Sequence, residues 1–163
     1  MKALTDGVTR LHRYRFCSVW TLPASPDVVY SVLDILERYP LWWREVKEVT
    51  QIDDRTARVV VRSRLPYDLA FTTEQEKRDP ETRVLEARMM GDLDGFSRWT
   101  IAPDPMGSKA VFEEDVIAKK RLLRILAPAV RLALIANHTL MMRSGEMGLR
   151  TYLAGFDHPH VTP

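Results

Sequence analysis

Residues 46–117 form successive short runs in which apolar and polar side chains alternate, and proline, glycine and aspartate separate the runs. Such alternation puts one set of side chains on each face of a strand, so each run predicts a half-buried strand. No helical segment long enough for a parallel crossover lies between the runs, so the predicted sheet is antiparallel. One face of this sheet is polar and can contact water. The other face is apolar and must be buried by another part of the chain.

The cover is predicted to be the C-terminal part of the chain. From about Pro128 to Leu153, apolar and small residues recur at helical spacing, and Pro128 marks a start or a kink. Gly145 and Gly148 lie on the apolar stripe, although each glycine costs a helix about 1 kcal/mol relative to alanine. A close approach of the helix to the sheet, or a hinge for access to a cavity, would explain that cost.

One more strand and two short helices precede the alternating region. Residues 13–22 alternate and place all three of their aromatic side chains, Tyr14, Phe16 and Trp20, on one face. Ser25 can cap the following helix and Pro26 suits its first position, while residues 37–44 predict a second short helical segment. The chain is therefore predicted to have an α+β fold, in which a curved seven-stranded antiparallel sheet wraps around one long C-terminal helix.

The predicted elements form a single domain over residues 13–154. Residues 1–12 are predicted to be a polar lead, and residues 155–163 a flexible tail. A chain of 163 residues can bury roughly 70% of the surface that its unfolded form exposes, so it can build a substantial core.

Charge and cysteine content narrow the functional classes. The 24 basic and 22 acidic residues are mixed and leave a net charge of +2, which gives no field suited to nucleic acid. The single cysteine, Cys17, excludes an intrachain disulfide and fits a reducing compartment, so we expect a cytoplasmic protein. We find neither the apolar start of a signal peptide nor an apolar run of membrane-spanning length.

The sequence contains none of the common motifs for cofactor binding or nucleophilic catalysis. The sequence has no glycine-rich phosphate loop, no metal-ligand spacing and no nucleophile motif with an orienting group. We therefore expect neither a metal nor an organic cofactor. Nothing in the sequence indicates an oligomeric state.

Five segments together carry a family resemblance. They are the Pro-Ala-Ser-Pro-Asp-Val-Val stretch at 23–29, Tyr-Pro-x-Trp-Trp at 39–43, Gly-Asp-Leu-x-Gly with a following Trp at 91–99, Pro-x-x-x-Gly-Ser at 103–108, and Asn-His at 137–138. In this order, over about residues 13–153, the chain resembles the START-like, pollen-allergen-like helix-grip (SRPBCC) superfamily and, within it, the bacterial polyketide cyclase/dehydrase and lipid-transport family. The resemblance implies a hydrophobic cavity between sheet and helix. Its members range over aromatases, lipid carriers and proteins of no known activity, so the fold alone does not decide the function.

The adjacent Trp42 and Trp43 are candidate cavity residues. Neighbouring residues cannot both point the same way, so we expect one tryptophan to line the cavity and the other to cover the outside of the sheet edge. The alternative is that both are ordinary core. The other predicted ligand contacts are inner-face or helix residues, namely Trp20, Tyr67, Phe71, Met89, Trp99, Phe112, Leu134, Asn137 and Met141.

Glu114 and His138 are the candidate catalytic residues. Glu114 shares strand parity with Phe112 and Val116, so its carboxylate is predicted to point inward, where it suits proton transfer or the binding of a ligand hydroxyl. Either Asn137 or His138 should face the sheet, and an imidazole beside a cavity can act as acid or base at neutral pH. The alternatives are a carboxylate at a strand end that pairs with arginine or reaches water, and a structural hydrogen bond for His138.

A short basic amphipathic patch precedes the long helix and consists of Lys119, Lys120, Arg121 and Arg124 beside leucines and isoleucines. It could make weak contact with an anionic membrane surface, and the alternative is a solvated helix start.

The sequence as a whole predicts a domain that binds a hydrophobic small molecule, such as a lipid, a polyketide or an isoprenoid. The enzymatic alternative is an aromatase/cyclase-like activity in which Glu114 or His138 transfers protons. A further alternative is a lipid carrier that docks on membranes or on partner proteins.

Overall fold

A computed structural model describes residues 12–62, 67–119 and 121–155, without the side chains of residues 121–130. The predicted polar lead and flexible tail lie outside the described residues, except for His12 and Gly155. The elements in chain order are β1 (Arg13–Leu22), α1 (Pro26–Leu33), a 3-10 turn (Leu36–Arg38), α2 (Tyr39–Trp42), β2 (Val46–Gln51), β3 (Thr56–Arg62), β4 (Asp68–Asp79), β5 (Val84–Gly91), β6 (Leu93–Asp104), β7 (Gly107–Ala118) and α3 (Arg121–Ala154).

The strands form one seven-stranded sheet in the order β1-β7-β6-β5-β4-β3-β2. Every neighbouring pair is antiparallel. The chain meanders from β2 to β7, and β1 pairs beside β7 at the far edge, so the short helices connect the two edges of the sheet. The predicted α+β architecture with a long C-terminal helix is confirmed.

Local sequence explains the first helix. The Ser25 side chain accepts a hydrogen bond from the Val28 backbone N–H at 3.4 Å, and Pro26 takes the first helical position, as predicted. The apolar face of α1 buries Val29 and Leu33 and contacts β6 and β7. This contact closes one end of the inner sheet face.

The long helix begins earlier than predicted. α3 starts at Arg121 rather than Pro128, so Pro128 lies inside the helix. Residues 121–127 consist of arginine, leucine, isoleucine and alanine, most of them strong helix formers, and their combined propensity extends the helix upstream of the proline. No helix in the described part of the chain is long and apolar enough to cross a membrane.

The C-terminal half of α3 lies directly against the sheet and the tryptophans. A Cβ atom at Gly145 would lie 2.6 Å from the Trp43 ring and 2.9 Å from the Trp20 ring. A Cβ atom at Gly148 would overlap the Trp42 carbonyl oxygen. The two glycines therefore permit a close approach of helix to sheet, which was one of the two explanations predicted for them.

We call this region the packed half of the inner face; its central residues are Trp20, Leu22, Trp42, Leu149 and Leu153. The open half is the remainder of that face, opposite residues 134–142 of α3. Several side chains there point inward but are only half-buried, among them Phe71, Ala87 and Phe112. Inward-facing side chains that keep exposed surface indicate unfilled space between sheet and helix.

Candidate functional site

The unfilled space is a cavity of about 430 Å³ in the open half. All seven strands contribute residues to its wall, and α3 contributes Leu134, Asn137, His138, Met141 and Met142. Strand parity decides which side chains reach the cavity, because alternate residues of each strand face opposite sides of the sheet. The result is an apolar chamber with polar groups at particular points of its wall.

One wall of the cavity is aromatic. The rings of Trp99 and Phe112 lie 4.7 Å apart between their centroids, on the neighbouring strands β6 and β7. The Trp43 indole N–H donates a hydrogen bond to the Met141 backbone carbonyl at 3.1 Å, which ties the wall to α3. Met89, Met141 and Met142 complete this region with flexible, polarisable side chains.

A carboxylate and an imidazole meet next to this aromatic wall, where Glu114 follows Phe112 by two residues on the same face of β7. Glu114 Oε2 lies 3.0 Å from His138 Nε2, and the two side chains are only 9% and 17% exposed. The imidazole ring stacks on Phe16 with a centroid distance of 3.6 Å, and Phe16 is the cross-strand partner of Glu114. The carboxylate and the aromatic ring therefore fix the orientation of His138.

Two tyrosine hydroxyls belong to the same end of the cavity. The Tyr14 hydroxyl is buried and makes no hydrogen bond within the described part of the chain. Burial raises the pKa of Tyr14, and burial raises the pKa of Tyr67 to about 12 with a smaller contribution from Tyr14. Both tyrosines therefore remain protonated at neutral pH.

The rim beside the C-terminus of α1 is charged. Arg78 Nε donates a hydrogen bond to Asp34 Oδ2 at 2.9 Å, which connects the end of β4 to the end of α1. Arg55 donates to the Gln75 carbonyl oxygen at 2.6 Å. These cations are already engaged, so this rim is a polar boundary rather than a free basic pocket.

The structure brings most of the predicted site residues together. The cavity wall includes Trp43, Tyr67, Phe71, Met89, Trp99, Phe112, Glu114, Leu134, Asn137, His138 and Met141. Tyr14 and Phe16 also line the cavity. They are not among the predicted ligand contacts, although the alternation of β1 places both on the inner face.

Trp20 and Trp42 are not part of this wall. Trp20 is 1% exposed and packs between the rings of Trp42, Trp43 and Trp99. Trp42 is buried beneath α3 instead of covering the outside of the sheet edge, which corrects that expectation. Strand parity gave the inner face correctly but carries no information about the local distance between helix and sheet.

The basic patch can be examined only at Lys119, whose ammonium lies 3.3 Å from Asp94. Lys120 and the side chains of Arg121 and Arg124 lie outside the described residues, so membrane contact stays a prediction. Among the residues that the structure describes, no group of three or more His, Cys, Asp or Glu side chains could hold a metal ion.

Comparison with known proteins gives one family match. The model of the family described as polyketide cyclase / dehydrase and lipid transport matches residues 15–142, most of the chain. No curated protein sequence matches the chain significantly.

Several solved structures share the fold. The Zhui aromatase/cyclase from Streptomyces sp. R1128 has a TM-score of 0.76 at 15% identity, covering 93% of this chain and 100% of that one. A START superfamily protein from Mycobacterium smegmatis has a TM-score of 0.67 at 18% identity, covering 89% and 99%. The di-domain ARO/CYC BexL from the BE-7585A biosynthetic pathway has a TM-score of 0.68 at 16% identity, covering 99% of this chain and 55% of that one. At these identities the likeness concerns the fold.

Proposed function

Because the chain belongs to the polyketide cyclase/dehydrase and lipid transport family, as its sequence predicted, we propose that it binds a hydrophobic small molecule of lipid, polyketide or isoprenoid type. The binding site is the cavity in the open half. The observation that carries this proposal is that side chains facing the protein interior line about 430 Å³ of space instead of packing together. A volume of this size lies within the range of about 300–1,000 Å³ that small-molecule sites occupy.

The wall chemistry supports an apolar ligand. Phe71, Trp99 and Phe112 offer flat apolar surfaces, and the methionines can adapt to the outline of a bound molecule. A buried apolar surface favours association through the hydrophobic effect, without any need for a charged group on the ligand. We also propose the cytoplasm as the compartment, since Cys17 is an exposed free thiol.

The first test is a ligand screen on the wild-type protein, compared with a variant in which an added side chain fills the cavity. Native mass spectrometry identifies apolar molecules that copurify, and thermal unfolding measures stabilisation by fatty acids, isoprenoids and aromatic polyketides. A ligand at about 100 times its dissociation constant adds roughly 2.7 kcal/mol to the folded state. We expect a rise in melting temperature of roughly 5–10 °C for a domain of this size.

Ala87→Phe and Arg88→Phe form a matched pair for this test. Ala87 faces the cavity and Arg88 is exposed on the other face of β5, so both variants add the same ring at neighbouring positions. Ala87→Phe should abolish the ligand-induced shift, and Arg88→Phe should keep it. If no apolar compound stabilises the wild-type protein, or if Ala87→Phe responds as fully as the wild type, the binding proposal is wrong.

One observation favours an enzymatic alternative. The Glu114 and His138 pair lies on the cavity wall at 3.0 Å, and a carboxylate that orients an imidazole is suited to proton transfer. In an aromatase/cyclase-like reaction, the pair would remove a proton from a carbon beside a carbonyl of a bound polyketide. That carbon would then attack a second carbonyl, whose oxygen would take up the proton and become a hydroxyl group. Removal of a second proton from the attacking carbon and protonation of the hydroxyl group would release water and leave a carbon–carbon double bond.

The enzymatic alternative can be tested by product analysis. A poly-β-keto chain generated in the presence of the protein should give one dominant aromatic product, whereas spontaneous cyclisation gives a mixture. Glu114→Gln and His138→Asn should restore the mixture while apolar ligands still bind. A product distribution that is the same with and without the wild-type protein would exclude this activity for that chain.

A further inference from the structure

Resting on the proposed binding function, we propose that the cavity selects neutral ligands that carry a hydroxyl group and rejects ligands that carry a carboxylate. The selection takes place at the part of the wall formed by Tyr14, Glu114 and His138, which we call the polar end. Ligand chemistry is thereby restricted to apolar, especially aromatic, alcohols and phenols.

The polar end offers a hydrogen-bond acceptor. The only hydrogen bond of the Glu114 side chain in the described part of the chain joins Oε2 to His138 Nε2, which leaves Oε1 without a partner. Glu114 is a cavity residue and its side chain is only 9% exposed, so bulk water reaches it poorly. A carboxylate oxygen in such a place is stabilised by any donor that a ligand brings.

The polar end also offers a donor. The Tyr14 hydroxyl is buried on the cavity wall and donates to no acceptor among the described residues. In the pairing of β1 with β7, Tyr14 is opposite Val116 and Phe16 is opposite Glu114. Tyr14 and Glu114 are therefore diagonal neighbours on one face, and such positions have backbones roughly 7–8 Å apart. A ligand hydroxyl between them can donate to Glu114 and accept from Tyr14, which no purely apolar group can do.

Charge at the polar end disfavours an anion. Glu114 is itself anionic when ionised, and any positive charge on His138 is compensated by the carboxylate to which it is bound. A ligand carboxylate would lose its water beside a buried carboxylate, and that desolvation is costly without a counter-charge.

The two arginines of the described cavity wall do not supply that counter-charge. Arg78 and Arg55 are the basic residues of the described cavity wall, and they are engaged with Asp34 and the Gln75 carbonyl. Arg78 lies on β4, three strand spacings from β7, or roughly 14 Å along the sheet. Arg131 lies over the Tyr14 ring, and its charge lowers the pKa of the Tyr14 hydroxyl against the larger effect of burial. It donates to the Arg13 carbonyl and does not line the wall beside Glu114.

A set of three probes with one ring system isolates the selection. The probes are phenanthrene, phenanthrenol and phenanthrene carboxylate, and binding at neutral pH is measured by quenching of tryptophan fluorescence, since Trp43 and Trp99 line the cavity. One added hydrogen bond to a charged group should make phenanthrenol bind about tenfold more tightly than phenanthrene. Phenanthrene carboxylate should bind at least about tenfold more weakly than phenanthrene.

Glu114→Gln removes the charge and keeps the size of the side chain. It should raise the affinity for phenanthrene carboxylate about tenfold and reduce the preference for phenanthrenol, while phenanthrene binds as before. Glu113→Gln is the matched control, because Glu113 is the preceding residue on the other face of β7 and its side chain is 48% exposed. It should leave all three affinities unchanged. Tyr14→Phe, which removes one oxygen, should lower only the affinity for phenanthrenol, by about threefold to tenfold.

The outcomes separate the selection from the proposed function. If phenanthrene binds but phenanthrenol gains nothing and phenanthrene carboxylate binds equally well, the selection is wrong and the binding function stands. If the Glu114→Gln variant shows the wild-type order of affinities, Glu114 does not make the selection and the inference is overturned. If none of the three probes binds, the proposed function falls for aromatic ligands, and the selection falls with it.

Discussion

The packed half and the open half of the inner sheet face share strands and the same pattern of alternation. Their side chains differ in packing: those of the packed half fill a closed core, and those of the open half line a cavity. Trp20 and Phe16 lie on the same face of β1. Trp20 is buried in the core, whereas Phe16 lines the cavity and stacks against the His138 ring. Leu149 and Leu134 both face the sheet from α3; Leu149 is fully buried and Leu134 borders the cavity. An inward-facing residue is therefore not necessarily a packed residue.

The distance between helix and sheet explains this difference. Gly145 and Gly148 allow α3 to touch the tryptophans at its C-terminal half. In residues 134–142, α3 faces the sheet with larger side chains, such as His138 and Met141. The space that these side chains do not fill is the cavity.

The largest expected effect comes from the same substitution in each half. Leu149→Ala should lower the free energy of unfolding by about 3–5 kcal/mol, because it leaves a void in a closed core. Leu134→Ala should cost no more than about 1 kcal/mol, because Leu134 already borders open space. Urea unfolding of both variants measures the difference. Equal losses would mean that the two halves are packed alike.

The next largest loss of stability is expected where the glycines of α3 contact the tryptophans. Gly148→Ala should lower the free energy of unfolding by about 2–3 kcal/mol, because the new methyl group overlaps the Trp42 backbone and the helix must shift. Thr139→Ala on the exposed face of α3 should instead change stability by less than about 0.5 kcal/mol. Thermal unfolding distinguishes the two, and a Gly148→Ala variant as stable as the wild type would contradict the tight contact.

Added volume should be tolerated in one half only. Ala110 is fully buried, and Ala110→Leu should cost about 1–3 kcal/mol through overpacking. Ala87 borders the cavity, and Ala87→Leu should change stability by less than about 1 kcal/mol, since the new side chain extends into free space. Chemical denaturation provides both values. If Ala87→Leu proves the more damaging change, the cavity is not where the structure places it.

The smallest effect concerns the tyrosines at high pH. Burial raises the pKa of Tyr67 from 10.0 to about 12 and also raises the pKa of Tyr14. In this range the unfolded chain releases its phenolic protons first, so the stability contributed by the neutral hydroxyls is complete below pH 10 and is lost as the pH rises through the folded values. Tyrosinate absorbance should rise later in folded than in unfolded protein, and Tyr67→Phe should reduce the late fraction. Superimposable titrations would show that these hydroxyls are in contact with bulk water.

The sequence predicted the elements well because their determinants are local. Alternation over residues 46–117 gave the strands and the inward direction of Glu114, and Ser25 with Pro26 gave the start of α1. The start of α3 was predicted too late because a single proline was given more weight than the helix-forming residues before it.

The site was harder to predict because its geometry is not local. The contact between Glu114 and His138 joins residues 24 positions apart on a strand and a helix. Which tryptophan lines the cavity depends on the distance between α3 and the sheet, and alternation of side chains does not contain that distance. The Tyr14 hydroxyl, which donates to no acceptor among the described residues, is likewise a property of the folded structure and not of a local sequence pattern.

A crystal structure grown with phenanthrenol tests the central claim most directly. We expect the ring system between Phe71, Met89 and Met141, with its hydroxyl group at Glu114 and with Trp20, Leu149 and the rest of the packed half unmoved. A structure in which the methionine and phenylalanine side chains fill the open half, with the probe on the surface or absent, would contradict it.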